Sequence, residues 1–129
     1  MKKILVASVV AAGLLGSAGA FAANKNICTG GATVTAGAVP DFGTAGTHFM
    51  VTAIRPPCSA NVRLSGEDVA NGSAYAVSSA SAKGQNVFGG HTNGGAILST
   101  GACATKGNCL QTDVNTSLGT MVTAAATAS

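Results

Sequence analysis

Hydrophobic and polar residues alternate with a period of two in several short stretches of this chain. The clearest alternation runs from Ala60 to Leu64, just after Cys58, and it predicts a strand with one buried face. The stretch from His48 to Ile54 is largely apolar at both alternating positions, which predicts a central strand that is covered on both sides. Pro56 and Pro57 would end that strand, because proline cannot donate to the hydrogen-bond ladder.

The remaining candidate strands are short, and turn-forming residue pairs separate them. They cover Ala32 to Val39, Ser73 to Lys83, Asn86 to Phe88, Ala96 to Ser99, Leu110 to Val114, and Leu118 to Ala126. The strongest hairpin signal is Asn71-Gly72, because both central positions of a type I′ turn need positive φ. Short strands at this spacing predict an all-β fold, a small disulfide-bonded β-sandwich.

Residues 66–83 have a second interpretation as a helix. The stretch from Ser65 to Asp68 matches a capping box, and Lys83-Gly84 would end such a helix. Gly72 in its middle would cost about 1 kcal/mol relative to alanine, so two strands are preferred. The alternative fold is a β-rich α+β domain with one helix near residues 66–83. In the strand interpretation, one face consists of small residues that would let another sheet or molecule approach closely: Ala74, Ala76, Ser78, Ala80 and Ala82.

The N-terminus has the layout of a bacterial secretory signal. Lys2 and Lys3 precede an apolar run from Ile4 to about Leu15, which is shorter than the roughly 20 residues that a membrane-spanning helix needs. The Ala20-Phe21-Ala22 triplet fits a cleavage site. We therefore expect residues 1–22 to be removed and residues 23–129 to form one mature β domain without an integral membrane segment. The expected location is the periplasm, the cell surface or the extracellular space.

Charge and aromatic content narrow the classes of partner. Loss of Lys2 and Lys3 lowers the formal net charge from +3 to +1. The remaining basic residues are scattered, which argues against nucleic-acid binding. Few aromatic residues remain, which argues against sugar-binding grooves and base-stacking platforms. The C-terminal tail, residues 121–129, is uncharged and β-capable, so it could form a terminal strand or stay free to join a neighbour's sheet.

Four cysteines in a short exported chain predict two disulfides. Three pairings are possible. We favour Cys103–Cys109, because the intervening Ala-Thr-Lys-Gly-Asn contains turn-forming residues, and this leaves Cys28–Cys58. The sequence has no C-x-x-C pair, so the spacing does not favour a zinc site. No metal and no cofactor is expected.

The sequence Phe-Gly-Gly-His-Thr-Asn-Gly-Gly at residues 88–95 resembles neither a P-loop nor a complete G-x-G-x-x-G motif. We interpret it as a loop between two short strands. His91 would lie at the exposed tip, with Phe88 and Ile97 anchoring the two sides in the core. His91 and Asn93, together with His48, are the candidate binding-loop residues.

Motifs for hydrolytic catalysis are missing from the sequence. It contains no G-x-S-x-G, S-x-x-K or H-E-x-x-H pattern, and among its four carboxylates only Glu67 and Asp68 are close in sequence. We therefore expect a non-enzymatic exported protein of the bacterial surface or extracellular matrix, a self-associating structural subunit. Its partners would be further copies of itself or an envelope protein. The alternatives are a monomeric periplasmic binding module for a small ligand, ion or envelope protein, and a small secreted inhibitor or toxin.

Overall fold

A computed structural model describes residues 24–31, 33 and 35–128. Within these ranges the chain forms seven strands followed by one helix. The elements are β1 (Lys25–Thr29), β2 (Thr35–Ala36), β3 (Pro57–Cys58), β4 (Val62–Val69), β5 (Ala74–Ser81), β6 (Asn86–His91), β7 (Leu98–Ala102) and α1 (Gln111–Thr127). The predicted signal segment, residues 1–22, lies outside the described residues.

Five of the strands form one antiparallel sheet in the order β1-β4-β5-β6-β7, and β2 pairs with β3 as a separate two-stranded ribbon. The β4–β5 hairpin confirms two strands at residues 66–83, where the alternative was a helix. Its last cross-strand pair is Val69 with Ala74, and the turn between them holds Asn71 at φ 55° and Gly72 at φ 68°. Both positions therefore have the positive φ that the Asn-Gly pair predicted.

The helix α1 packs across one face of this sheet, which we call the helix face. Val69, Ala74 and Ala76 of the sheet form one buried cluster with Leu118 and other apolar residues of α1. The small-residue face of β5 thus allows a close approach, as the sequence predicted. The partner that uses it is a helix of the same chain. The opposite side of the sheet, which we call the far face, carries residues such as Asp68, Tyr75 and Phe88.

The β-rich class is confirmed, whereas the sandwich is not, because the second layer over the helix face is α1. The predicted strands Leu110 to Val114 and Leu118 to Ala126 are wrong, since both segments contribute to this helix. The tail from residue 121 is helical as far as Thr127 and packs through Val122 and Ala125, so it is neither a terminal strand nor a free segment. Ser129 lies outside the described residues.

The predicted central strand from His48 to Ile54 is also wrong. This segment has no extended ladder: Phe49 donates its backbone N–H to Asp68 Oδ1 at 3.1 Å, and Met50 accepts a backbone hydrogen bond from Gly43 at 3.0 Å. The large apolar side chains here, Phe49, Val51 and Ile54, are exposed. Of the predicted strand from Ala32 to Val39, only Thr35–Ala36 is a strand, and residues 32 and 34 lie outside the described ranges.

Both disulfides that the cysteine spacing favoured are present. Cys28–Cys58 links β1 to β3 within a buried cluster with Ile27, against which Val62 and Leu64 pack. Cys103–Cys109 closes the short connection between β7 and α1. The two disulfides therefore lie at opposite ends of the sheet order.

The glycine-rich stretch at residues 88–95 differs from its predicted form. The strand β6 continues through it to His91, which is half-buried, and the chain reverses after His91 where Gly94 and Gly95 have positive φ. Phe88 pairs with Ser79 on the far face and is 44% exposed, while Ile97 is 73% exposed. The prediction that Phe88 and Ile97 anchor a core is wrong, because no second sheet covers this part of the far face within the described chain.

Candidate interaction surface

Strand β7 forms one border of the five-stranded sheet. One of its edges pairs with β6, and its other edge has no strand partner within residues 24–128 as far as these are described. Apart from Thr100, its residues are exposed, and Leu98 is 60% exposed. An unpaired edge presents backbone N–H and C=O groups that can pair with another chain.

The opposite border, strand β1, is partly covered by the chain itself. Ala38 donates its backbone N–H to the carbonyl oxygen of Ile27 at 2.8 Å. The Cys28–Cys58 disulfide holds the β2–β3 ribbon beside this strand. The open border of the sheet is therefore the β7 side.

The segment around β7 lacks the charges that usually protect an edge strand. From Thr92 to Thr105 the sequence contains no charged side chain and no proline. The one irregularity is a register shift opposite Val87 and Phe88, which leaves Thr100 without a cross-strand partner. The uncharged run is visible in the sequence, but only the strand pairing places it at the border of the sheet.

A shallow cleft of about 170 Å³ lies between β7 and α1. Its lining residues come from both elements: Val87, Thr100, Gly101, Ala102, Asp113, Thr116, Ser117 and Thr120. The Thr100 hydroxyl donates to the Val87 carbonyl at 3.1 Å and lies 2.6 Å from the Ser117 hydroxyl. Small and hydroxyl-bearing side chains thus line the space next to the open edge.

Several contacts fix the start of α1 relative to the sheet. The Cys103–Cys109 disulfide joins the residue after β7 to a residue just before α1. Asp113 accepts the Leu110 backbone N–H at 2.8 Å, which satisfies one of the otherwise free donors at the start of a helix. Arg63 donates through Nε to the Cys109 carbonyl at 2.8 Å and through Nη1 to the Thr29 carbonyl at 2.6 Å. The position of α1 relative to β7 is therefore fixed by covalent and hydrogen-bonded links.

An apolar patch lies on the far face beside the same edge. It consists of Phe88 and Ile97. The half-buried side chain of Val77 lies on the neighbouring strand β5. The Ile97 side chain lies over Gly90. Other parts of the far face are covered by the chain, one by the cluster around Cys28–Cys58 and another by the segment around Phe49.

A second group of polar side chains lies beneath that covering segment. Asp68 and Tyr75 are cross-strand neighbours on β4 and β5, and the Phe49 and Tyr75 ring centroids are 6.4 Å apart. Burial raises the pKa of Asp68, although the Phe49 N–H and the nearby His48 oppose the increase. Burial, reinforced by neighbouring carboxylates, also raises the pKa of Tyr75. Asp68 Oδ2 and Tyr75 Oη are buried without a hydrogen-bond partner among the described residues.

The structure separates the candidate binding-loop residues. His48 belongs to the segment over the far face, where its Nδ1 lies 3.0 Å from the Thr47 hydroxyl. His91 pairs with Ala76 and is on the helix face, while Asn93 donates through Nδ2 to the Ala125 carbonyl at 3.0 Å. Within the described ranges no three side chains of His, Cys, Asp or Glu are grouped as a metal site would require.

Comparison of this chain with protein-family models, with curated proteins and with solved structures found no match. Among the described residues, no helix is long and apolar enough to cross a membrane. Two disulfides together with this finding are compatible with an exported protein.

Proposed function

We propose that this protein is a non-enzymatic structural subunit of the bacterial cell surface or extracellular matrix, which is exported and associates with copies of itself. The observation that carries this proposal is the uncharged, unpaired edge of β7 with the apolar patch of Phe88 and Ile97 beside it. Edges of this kind in proteins that stay monomeric are commonly blocked by lysine, proline, a β-bulge or a covering segment, and of these β7 has only the register shift opposite Val87 and Phe88.

Other features of the chain support the same proposal. The chain carries only seven basic and four acidic residues, so charge repulsion between copies is weak. Several large apolar side chains outside the patch are also exposed, and they offer further contacts for packing in an assembly: Phe42, Phe49, Val51 and Ile54. Clusters of exposed apolar side chains commonly mark interaction sites.

The test uses the full chain expressed in a bacterium and purified after export. We expect light scattering coupled to size-exclusion chromatography to give a mass that increases with protein concentration. Negative-stain microscopy should then reveal larger assemblies at the highest concentrations. A constant monomer mass without assemblies would contradict the proposal. It would instead favour the alternative of a monomeric binding module.

A further inference from the structure

We propose that Asn71 is a site of spontaneous covalent modification, at which its side-chain amide is converted to aspartate and to β-linked aspartate. The sequence contains two Asn-Gly steps, Asn71-Gly72 and Asn93-Gly94. Glycine after asparagine favours this reaction, because no Cβ atom shields the glycine backbone nitrogen. The sequence alone does not separate the two steps, whereas their surroundings in the structure do.

The reaction joins the side chain of Asn71 to the next peptide nitrogen. The Gly72 N–H loses its proton to a solvent hydroxide, and its nitrogen then forms a bond to Asn71 Cγ. The bond between Cγ and Nδ2 breaks, and Nδ2 takes up a proton and leaves as ammonia. Water then opens the imide ring at one of its two carbonyl carbons, which gives aspartate in either the normal or the β-linked chain. Water is the only co-reactant consumed.

The surroundings of Asn71 leave this reaction open. Asn71 is exposed, and among the described residues neither its side chain nor the Gly72 N–H has a hydrogen-bond partner. The backbone N–H of Ser73 reaches the carbonyl oxygens of Val69 at 3.1 Å and of Ala70 at 3.2 Å across the turn. Exposed hydrogen bonds in a turn open readily. The turn can therefore leave its positive-φ conformation for long enough to let the ring close.

The second step, Asn93-Gly94, is held in place by the helix. Asn93 is half-buried, and its Nδ2 donates to the Ala125 carbonyl oxygen at 3.0 Å. That carbonyl belongs to the last turn of α1, where carbonyl oxygens have no partner within the helix. The Asn93 amide must give up this hydrogen bond before Cγ can turn toward the Gly94 nitrogen. Asn71 therefore reacts first.

Modification of Asn71 changes both the charge and the packing of the turn. It adds one negative charge, which lowers the formal net charge from the +1 expected for residues 23–129 to zero. The β-linked product also lengthens the backbone in a turn that is closely packed, since a Cβ atom at Gly72 would lie 2.7 Å from the Phe49 nitrogen. We therefore expect the β-linked form to displace the segment around Phe49, whose ring lies beside Tyr75.

The first experiment incubates the full, exported chain at neutral pH and maps the modification by mass spectrometry after reduction and digestion with trypsin. Trypsin places the two asparagines on separate peptides, residues 64–83 and 84–106. We expect conversion at Asn71 to be roughly fivefold faster than at Asn93 or more, because a hydrogen bond protects Asn93. A parallel sample unfolded in urea is the control, and in it the difference should disappear.

Three outcomes of this experiment would overturn the inference. They are equal conversion at the two asparagines in the folded protein, faster conversion at Asn93, and no conversion at Asn71 in the folded protein while the urea-treated chain reacts.

The second experiment separates the more acidic product by ion exchange and compares two variants. Asn71→Gly removes the reactive amide and tolerates the φ of 55° at this position, so it should yield almost no acidic form. Asn93→Gly should yield as much acidic form as the wild type. Circular dichroism before incubation checks that both variants are folded. An acidic form that persists in Asn71→Gly and is lost in Asn93→Gly would contradict the assignment.

Tyrosine fluorescence tests the expected change in packing. Tyr75 is the only tyrosine in a chain without tryptophan, so its emission reports on the segment around Phe49. The emission should change in the purified β-linked fraction and stay close to that of the wild type in Asn71→Asp, which has the same charge in a normal chain. An unchanged emission in the β-linked fraction would overturn the expected displacement of this segment.

Discussion

The environment of Asp68 differs from that of most aspartates, which lie at the protein surface. It lies next to Glu67 in the sequence, yet its side chain is only 2% exposed. Its Oδ1 accepts the Phe49 N–H at 3.1 Å, whereas its Oδ2 has no partner among the described residues. An unpaired buried carboxylate is costly in its charged form. This explains the raised pKa of Asp68 and links its charge to the segment that covers Tyr75.

We predict that Asp68→Asn increases the free energy of unfolding at neutral pH. Burial raises the pKa of the folded Asp68 carboxyl above its ordinary 3.8, so the folded state binds the proton more tightly than the unfolded state. The stabilisation by protonation is complete below the ordinary pKa and is lost as the pH rises through the raised value. Asparagine removes the charge and keeps an oxygen that can accept the Phe49 N–H.

Urea unfolding between about pH 4 and about pH 8 measures this dependence. The wild type should lose stability as the pH rises through the lower part of this range, and Asp68→Asn should lose less. Glu67, whose pKa is also raised by burial and by Asp41, supplies the dependence that remains in the variant. An equal pH dependence in both proteins would contradict the role assigned to Asp68.

At the scale of elements, the sequence predicted the hairpins and missed the helix. Strands β4 and β5 follow period-two alternation or Asn-Gly turn chemistry, which are local signals. The helix α1 is rich in threonine, has Gly119 in its middle and carries only one charged residue, Asp113, so local propensity does not favour it. Its signal is the spacing of Val114, Leu118, Val122 and Ala125, which lie on one helical face. Packing of that face on the sheet stabilises the helix.

The surroundings of Gly89 show how closely α1 approaches the sheet. A Cβ atom at this position would lie 2.6 Å from Cγ of Met121 and 2.8 Å from Oγ of Ser78. We therefore expect Gly89→Ala to lower the free energy of unfolding by about 1–3 kcal/mol, the usual cost of overpacking. The matched control is Gly119→Ala, where a Cβ would meet nothing within 4 Å. It should raise stability by about 0.5–1 kcal/mol through helix propensity. Destabilisation of similar size in both variants would contradict the close packing at Gly89.

At the scale of the whole molecule, Phe88 and Ile97 were wrongly predicted to be core residues because the described residues do not form a sandwich. A sandwich would pack a second sheet against one face of the large sheet, and the prediction for Phe88 and Ile97 required them to lie on that inner face. In the described chain, α1 covers one face and the far face is only partly covered. The cysteine pairing could be predicted because it depends on spacing and turn chemistry. The open β7 edge could not be, since strand order depends on contacts between distant segments.

The two disulfides allow a prediction about both stability and assembly. In the chain-entropy model, the sequence separations of 6 for Cys103–Cys109 and 30 for Cys28–Cys58 correspond to losses of about 2 and about 4 kcal/mol when each is removed. All four cysteines are buried, so the double alanine variants Cys103→Ala/Cys109→Ala and Cys28→Ala/Cys58→Ala are matched in the side chains they lose. Chemical unfolding measures the two stabilities.

Assembly should follow the opposite order from stability. The variant without Cys103–Cys109 loses less stability, but it also loses the covalent link between β7 and α1. Its self-association should therefore weaken more than that of the variant without Cys28–Cys58. Sedimentation equilibrium, under conditions in which circular dichroism confirms that both variants are folded, compares them directly. If the Cys28→Ala/Cys58→Ala variant associated more weakly than the other, association would depend on the cluster around β1 and not on β7.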